Sequence, residues 1–348
     1  MTLAAAAILA VGFTSCDDTK DIPIAPPAQY SEGVYILNQG DYYNNIEGSL
    51  NYYDFESQTY ASGVFRAANN RSIGSTPQCA VSYGSRIYLG IYESNCIEIV
   101  DKETLKSIKQ ISLENSTNGK GPRSMVAAKG NVYISMFDGY VARLDTFDMA
   151  IDASVKVGPN PEVMALQGDK LFVPNSGGMN HPNYNNTASV VSLEPFRVDA
   201  TIEVPLNPNK FITAGGKLFL ICWGNYDDID AAIYSVDSYS EINKITNAKW
   251  AAATYDKLYI VDAPWGKEHS YCVYNVNYGT IDKLEFPEIA SPSGIYVVPD
   301  FGYIVISSYV VENGYANMLV PGYNCIYNPF GKLIKKFDGG VGETFMFI

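Results

Sequence analysis

A proline followed eleven residues later by an aromatic side chain recurs along this chain and limits what it can fold into. Pro77, Pro122, Pro161, Pro208 and Pro292 lead to Tyr88, Tyr133, Phe172, Phe219 and Tyr303, and Ala248 leads to Tyr259 in the same frame. The units begin roughly 40–50 residues apart, a period that marks a repeated supersecondary unit. The plainest copy is Gly121–Asp145, GPRSMVAAKGNVYISMFDGYVARLD. A proline opens an apolar run, Lys129-Gly130-Asn131 turns the chain, VYISM returns, and after a short loop a third run stops at Leu144-Asp145. RIYLGI, KLFVPN, KLFLIC and KLYIVD stand where NVYISM does in other units. Short runs rich in β-branched and aromatic residues, separated by residues that tolerate positive φ, read as strands joined by tight hairpins.

Each unit spells four strands, a to d. The a–b turns are short: Tyr83-Gly84-Ser85, Lys129-Gly130-Asn131, Gly168-Asp169, Gly215-Gly216 and Tyr255-Asp256. Strand c ends in a polar turn, Val100-Asp101, Leu144-Asp145, Leu193-Glu194 or Val236-Asp237, where a carboxylate can accept from its own turn backbone. Four-stranded units of this length are the blades of a β-propeller. The N-terminal unit lacks strand a: VYILN, SLNYYD and TYASGVF supply b, c and d within Gly33–Phe65, and the chain's last segment, Gly342–Ile348, reads as the missing strand. The expected fold is all-β, a seven-bladed propeller of four-stranded blades whose first blade is closed by the C-terminal strand, which leaves no open sheet edge. A six-bladed ring with irregular ends is the rival.

The first residues are a separate matter. Met1–Val11 is apolar but too short to cross a bilayer as a helix, which takes about 20 residues. Gly12-Phe13-Thr14-Ser15-Cys16 follows and resembles a bacterial lipobox, in which the cysteine carries the lipid; an ordinary secretory signal with an incidental cysteine is the alternative. The expected layout is a lipoprotein signal peptide over residues 1–15, an acidic, proline-rich tether over 16–30 anchored through Cys16, and the propeller over 31–348. The acidic pair Asp17-Asp18 resembles a surface-export signal, implying a lipid-anchored, surface-exposed protein of the outer membrane.

Propeller topology places a site. Strand a lines the central channel, and the b–c loops share one face with the d–a connections. The residue after each aligned proline then falls at the channel mouth on that face: Gln78, Arg123, Glu162, Asn209, Lys249, Ser293 and, by frame, Glu343. All are polar, although the strands continue apolar. The long b–c loops surround them and supply Asn38, Tyr42, Tyr92, Phe137, Asn175, Trp223, Trp265 and Tyr309. Rigid aromatics beside amides and charges suit a large flat amphipathic ligand or a sugar. Channel water and packing between blades are the plainer roles for the same residues.

Composition excludes several functions. Lys and Arg total 24 against 37 acids, a formal net charge of −13, which opposes nucleic-acid binding. The two histidines, His181 and His269, sit in separate loops and make neither a triad nor a metal site. Apart from Cys16 the cysteines are Cys79, Cys96, Cys222, Cys272 and Cys325, without a CxxC; buried thiols are expected, with a disulfide open in an oxidising compartment. Asp227-Asp228-Ile229-Asp230 matches no calcium loop. No phosphate loop or nucleophile elbow occurs. No cofactor is expected, and the reading is a binding protein rather than an enzyme.

The P-x-x-M/A starts, the K-L-Y-I/V strands and the V-D ends of strand c resemble the YncE-like seven-bladed propellers over residues 33–348. The lipobox and the opening GVYILNQG-x-Y-x-N-x-x-GSL-x-Y-Y-D resemble the DUF5074 lipoproteins of Bacteroidetes, which include the BtuG-type surface proteins. That resemblance implies capture of a cobalamin or related corrinoid and its transfer to a TonB-dependent outer-membrane transporter. The rivals are a protein- or glycan-binding scaffold at the cell surface and, further off, a lactonase- or quinoprotein-type propeller enzyme.

Overall fold

The structure is a computed structural model that describes residues 33–264, 266–298 and 302–347. The expected signal peptide, Cys16 and the tether lie outside the described residues. The described chain forms seven antiparallel sheets, each a blade. Blade II is the plainest: Pro77–Tyr83, Arg86–Ile91, Cys96–Asp101 and Ser107–Ser112 pair in sequence order. Blade III repeats it with Pro122–Ala128, Asn131–Met136, Tyr140–Asp145 and Ala150–Lys156. The inner strands of the remaining blades are Ala165–Gln167, Pro208–Ala214, Trp250–Ala253 and Ser291–Val297 for blades IV to VII, and Thr344–Phe347 for blade I.

That last strand closes the ring as the sequence implied. Thr344–Phe347 pairs antiparallel with Gly33–Asn38, with Tyr35 opposite Phe347 and Asn38 opposite Thr344. Gln39 N–H donates to Glu343 O (3.1 Å) and Gly40 N–H to Val341 O (2.9 Å), extending the joint into the loop. Blade I therefore draws its strands from both ends of the described chain.

The apolar interior is divided among the blade junctions. Leu37, Leu50 and Phe65 meet Ile87, Leu89 and Val100 between blades I and II. Tyr88, Ile97 and Ile99 meet Val132 and Ile134 between II and III. The same arrangement continues round to Val34 and Ile36 of blade I, which meet Val305 and Ile326 of blade VII. Every strand alternates its side chains between two neighbouring junctions, so both faces of each sheet are apolar. Removing apolar surface from water at each junction holds the ring, and the channel is left free for other chemistry.

Three local features depart from the expectation. Strand d of blade I is only Tyr60–Ala61, and Val64–Asn69 is a short helix that buries Val64 and Phe65. Val64 and Phe65 thus supply the apolar contact that the expected strand TYASGVF would have made, but from a helix. In blade VII strand b runs long, Ile304–Glu312, and hairpins with Tyr315–Asn317 above the b–c face. Strands a and b of blade VII, Ser291–Val297 and Ile304–Glu312, also lie further apart in sequence than those of blades II to VI. The predicted turn chemistry holds at Asp101 and Asp145, whereas Asp237 accepts from the Ser235 and Asn243 side chains instead. Asp101 Oδ1 accepts from Thr104 N–H (2.8 Å) and Thr104 Oγ1 (2.8 Å), which holds its carboxyl below the usual range. Asp145 Oδ1 accepts from the Phe147 and Asp148 amides.

Candidate functional site

The register of strand a explains why one residue in each blade aims over the channel. In blade II, Pro77 faces Ile91 and Cys79 faces Gly90, so Gln78 is the extra residue of a bulge. Arg123 is skipped in the same way between Pro122 and Ser124, Asn209 between Pro208 and Lys210, and Ser293 between Pro292 and Gly294. Proline cannot donate to the ladder, and bulges are where it is tolerated and where a side chain is re-aimed. In blade VI the Lys249 amide donates to Val261 O, the residue that Trp250 faces. In blade IV, Glu162 N–H donates to Pro174 O next to the Pro161–Asn175 bridge. In blades II, III, V and VII the proline frame in the sequence is therefore a bulge frame in the structure.

Half of this polar ring is bonded to itself. Arg123 Nε donates to Glu162 Oε2 (2.6 Å) and its Nη1 donates to Gln78 Oε1 (2.7 Å). Ser176 Oγ donates to the other oxygen of Glu162 (3.2 Å). Burial disfavours the Arg123 charge, but Glu162 and, more distantly, Glu343 outweigh it and its pKa rises. The guanidinium lies 5.8 Å from the Phe137 ring centroid, and Tyr92 meets Phe137 edge-on at 5.5 Å. Blades II to IV thus present a finished network of charge, amide and aromatic cover.

The other half, from blade V round to blade I, is unfinished. Among the described residues the side chains of Asn209, Lys249 and Ser293 make no hydrogen bond or ion pair with the protein. Asn209 and Ser293 are nevertheless each only 7% exposed. Lys249 Nζ lies over the rings of Trp223 (4.0 Å), Tyr226 (4.8 Å) and Trp250 (5.9 Å). Cation–π contact offsets part of its desolvation and leaves its N–H donors unspent. Burial, only partly countered by Glu343, pushes its pKa down to about 8. Lys210, one step deeper, is also pushed down to about 8 by burial and donates to Ala251 O (3.0 Å). Trp223 is fixed from below, its Nε1–H donating to Lys249 O (3.0 Å).

Gln78, Arg123, Asn209, Trp223 and Ser293 all line one channel cavity of about 210 Å3. Other expected residues sit elsewhere. Asn38 is buried, with Nδ2 donating to Thr344 Oγ1 (2.9 Å) and Oδ1 accepting from Asn51 (2.8 Å), so its polar atoms are consumed in closing blade I. Asn175 is likewise buried; it accepts from the Gly158 amide and donates to Thr187 and Ser189. Tyr42 is half-exposed against Tyr43 on the outer rim. Tyr309 is buried, and burial followed by Glu343 raises its pKa. Trp265 lies outside the described residues.

The frame missed Lys210, Trp250 and Tyr226. Lys210 and Trp250 are the residues two after the aligned proline position, where other blades have Cys79, Ser124 or Gly294. A lysine and a tryptophan at a position held elsewhere by Cys79, Ser124, Val163 and Gly294 were the available signal. Tyr226 follows Trp223 in the same loop and is half-exposed over Lys249, with burial raising its pKa to about 12.

No nucleophile or metal centre emerges in the described residues. No group of three His, Cys, Asp or Glu side chains could hold an ion. Cys79, Cys96, Cys222, Cys272 and Cys325 are free thiols, and burial pushes Cys79 up to about 12 and Cys96 up to about 11. Such thiols stay protonated.

The fold and its polar ring define a β-propeller with a candidate binding mouth. The chain belongs to the family described as domain of unknown function DUF5074, whose family model matches residues 32–255. No curated protein matches it. Among solved structures, a 6-phosphogluconolactonase-like protein from Bacteroides uniformis is similar over 91% of this chain and all of its own, at 13% identity and a TM-score of 0.63. Hydrazine synthase of Kuenenia stuttgartiensis is similar over 75% of this chain and 86% of its own, at 14% identity and a TM-score of 0.57. The computationally designed Ika8 protein is similar over 77% and 88%, at 8% identity and a TM-score of 0.51. A likeness at this identity shows a shared fold, and a shared fold does not fix a function.

Proposed function

We propose that this protein is a ligand-capturing propeller that takes a small amphipathic molecule at the b–c face, over the channel mouth. The observation that carries the reading is the unspent half of the ring. Buried polar groups are normally satisfied within the fold, yet Asn209 and Ser293 line the cavity without a protein partner, and Lys249 has only the rings of Trp223, Tyr226 and Trp250 beside it, two of them part of the cavity wall. A few convergent polar groups on an apolar wall are what a binding site needs. No covalent step is required of them; binding alone supplies the function.

The resemblance carried by the GVYILNQG opening and the lipobox suggests a corrinoid as the ligand. A channel of about 210 Å3 is too small for a macrocycle, so such a ligand would lie across the mouth, with aromatic contact from Trp223 and Tyr226 and one side arm in the channel. On this reading Cys16 is the lipid anchor in the outer membrane, and the captured molecule is handed to a TonB-dependent transporter. Titration of the protein with cobalamin, followed by calorimetry and by the corrin absorbance, tests it. Saturable one-to-one binding that Trp223→Ala weakens is expected. Absence of any signal removes the corrinoid, and binding that Trp223→Ala leaves unchanged removes this face.

A further inference from the structure

The unfinished half of the ring has a charge balance that selects among ligands. Around the mouth, Arg123, Lys210 and Lys249 stand against Glu162 and Glu343. The Arg123–Glu162 pair is closed on itself, which leaves two lysines and one carboxylate around Asn209 and Ser293. This excess of a single positive charge sits in a chain whose formal net charge is −13. Glu343 does not neutralise Lys249 by contact: its carboxylate accepts from Gln39 Nε2, at 3.4 Å on the blade I side. Lys249 is held over three aromatic faces instead, and Lys210 spends a donor on the Ala251 carbonyl. Water can satisfy Asn209 and Ser293, but it cannot neutralise a desolvated ammonium, and the cost of burying unpaired charge remains.

We propose that Asn209, Lys249 and Ser293 form a carboxylate subsite, which takes a single carboxylate group of a ligand whose apolar part rests on Trp223 and Trp250. The donors come from blades V, VI and VII in succession: an amide, an ammonium and a hydroxyl, all suited to the two oxygens of a planar carboxylate. Lys210 adds attraction from below. Glu343 at the blade I edge sets the limit at one negative charge and turns away a dianion. Asn209 and Ser293 stand on bulges and Lys249 holds the equivalent position of blade VI, so the backbone sets all three positions before a ligand arrives.

This inference rests on the reading of the b–c face as a ligand site but not on the ligand being a corrinoid. The test compares benzoate with benzamide, a neutral probe of the same shape, at constant ionic strength, using tryptophan fluorescence and calorimetry on the intact protein. Benzoate is expected to bind at least about ten-fold more tightly, the scale of one charge-assisted contact. Lys249→Gln should abolish that preference while the unfolding midpoint confirms a folded variant. Lys129→Gln, which breaks an exposed ion pair with Asp169 on the opposite face, should leave the preference intact. Equal affinity for the two probes overturns the subsite, as does failure of benzoate to bind or a preference that survives Lys249→Gln. If cobalamin fails to bind but benzoate is preferred, the corrinoid reading falls and the subsite stands. If cobalamin binds and benzoate is not preferred, the subsite alone falls.

Discussion

Blades II to IV and blades V to I offer the same bulge position to the same channel, and they use it in opposite ways. In the first group Gln78, Arg123 and Glu162 are joined by bonds of 2.6–2.7 Å and covered by Phe137. In the second, Asn209 and Ser293 are buried and Lys249 is half-buried, and none holds a hydrogen-bonding protein partner among the described residues. The backbone is nearly the same in both, so the difference lies in side-chain pairing. A closed network gives rigidity, whereas an open one costs stability and keeps donors available for something that arrives from outside.

The comparison breaks first if the closed half is not energetically closed. Glu162→Ala leaves the Arg123 guanidinium buried without its counter-charge and removes an acceptor from Ser176. Loss of one partner of a buried pair costs about 3–5 kcal/mol, read from denaturant unfolding. Replacing both partners with apolar residues, Arg123→Met with Glu162→Leu, should recover much of that loss. A cost below about 1 kcal/mol for Glu162→Ala, the size of an exposed pair, would put the two halves on the same footing.

How these pairings form also shows where sequence reading stops. The proline-frame spacing located the ring positions of blades II to VII, and the closing strand supplied Glu343 by frame, because each is set by local strand geometry that repeats in the chain. It could not show that Arg123 reaches Gln78 and Glu162, 45 and 39 residues away, since such bonds depend on how neighbouring blades meet. Asn38 and Asn175 read as loop polar groups, yet both turn into their own blades, where strand c presents Asn51 or Ser189. The Val64–Phe65 pair read as strand because its apolar character suits either periodicity over so short a run. Gly63 in a left-handed conformation, φ 61°, opens a helix there instead. Trp250 stands at a position that holds Cys79, Ser124, Val163 or Gly294 in other blades, and that contrast in size was its signal in the sequence.

Lys249→Met tests the open half with a smaller effect of opposite sign. Removing a desolvated ammonium that has only aromatic faces for company should stabilise the fold by about 1 kcal/mol at neutral pH, the three ring contacts offsetting the rest of the burial penalty. The gain should depend on pH in a set direction. The folded pKa of Lys249 is about 8, against roughly 10.4 unfolded. Below the lower value both states are charged and the folded state bears the whole penalty. Between the two, the unfolded chain binds the proton that the folded chain has lost, so wild-type stability rises with pH. The variant's advantage should therefore shrink across that window, with Glu343 and Tyr226 as the titratable neighbours and Lys210 common to both proteins. Urea denaturation at a series of pH values measures it, and an advantage that stays constant, or grows, contradicts an unpaired lysine.

The smallest effect gives the sharpest contrast, because it uses one substitution in both halves. Ser176 Oγ shares its hydrogen between Asn160 O (3.0 Å) and Glu162 Oε1 (3.2 Å) and accepts from the Gly178 amide (3.0 Å), so Ser176→Ala removes a hydroxyl on which a buried carboxylate and two backbone groups depend. A loss of about 1–2 kcal/mol follows from leaving such partners unsatisfied. Ser293 is also buried but lines the cavity, and its hydroxyl holds nothing in the described protein. Ser293→Ala should then lie within about 0.5 kcal/mol of wild type, while benzoate affinity falls. Stability and binding would separate at Ser293 and stay joined at Ser176, as they should if one half of the ring serves the fold and the other serves a ligand. Equal stability losses at the two serines would mean that Ser293 carries a structural bond of its own, and the division of the ring would then fail at the residue where it is easiest to measure.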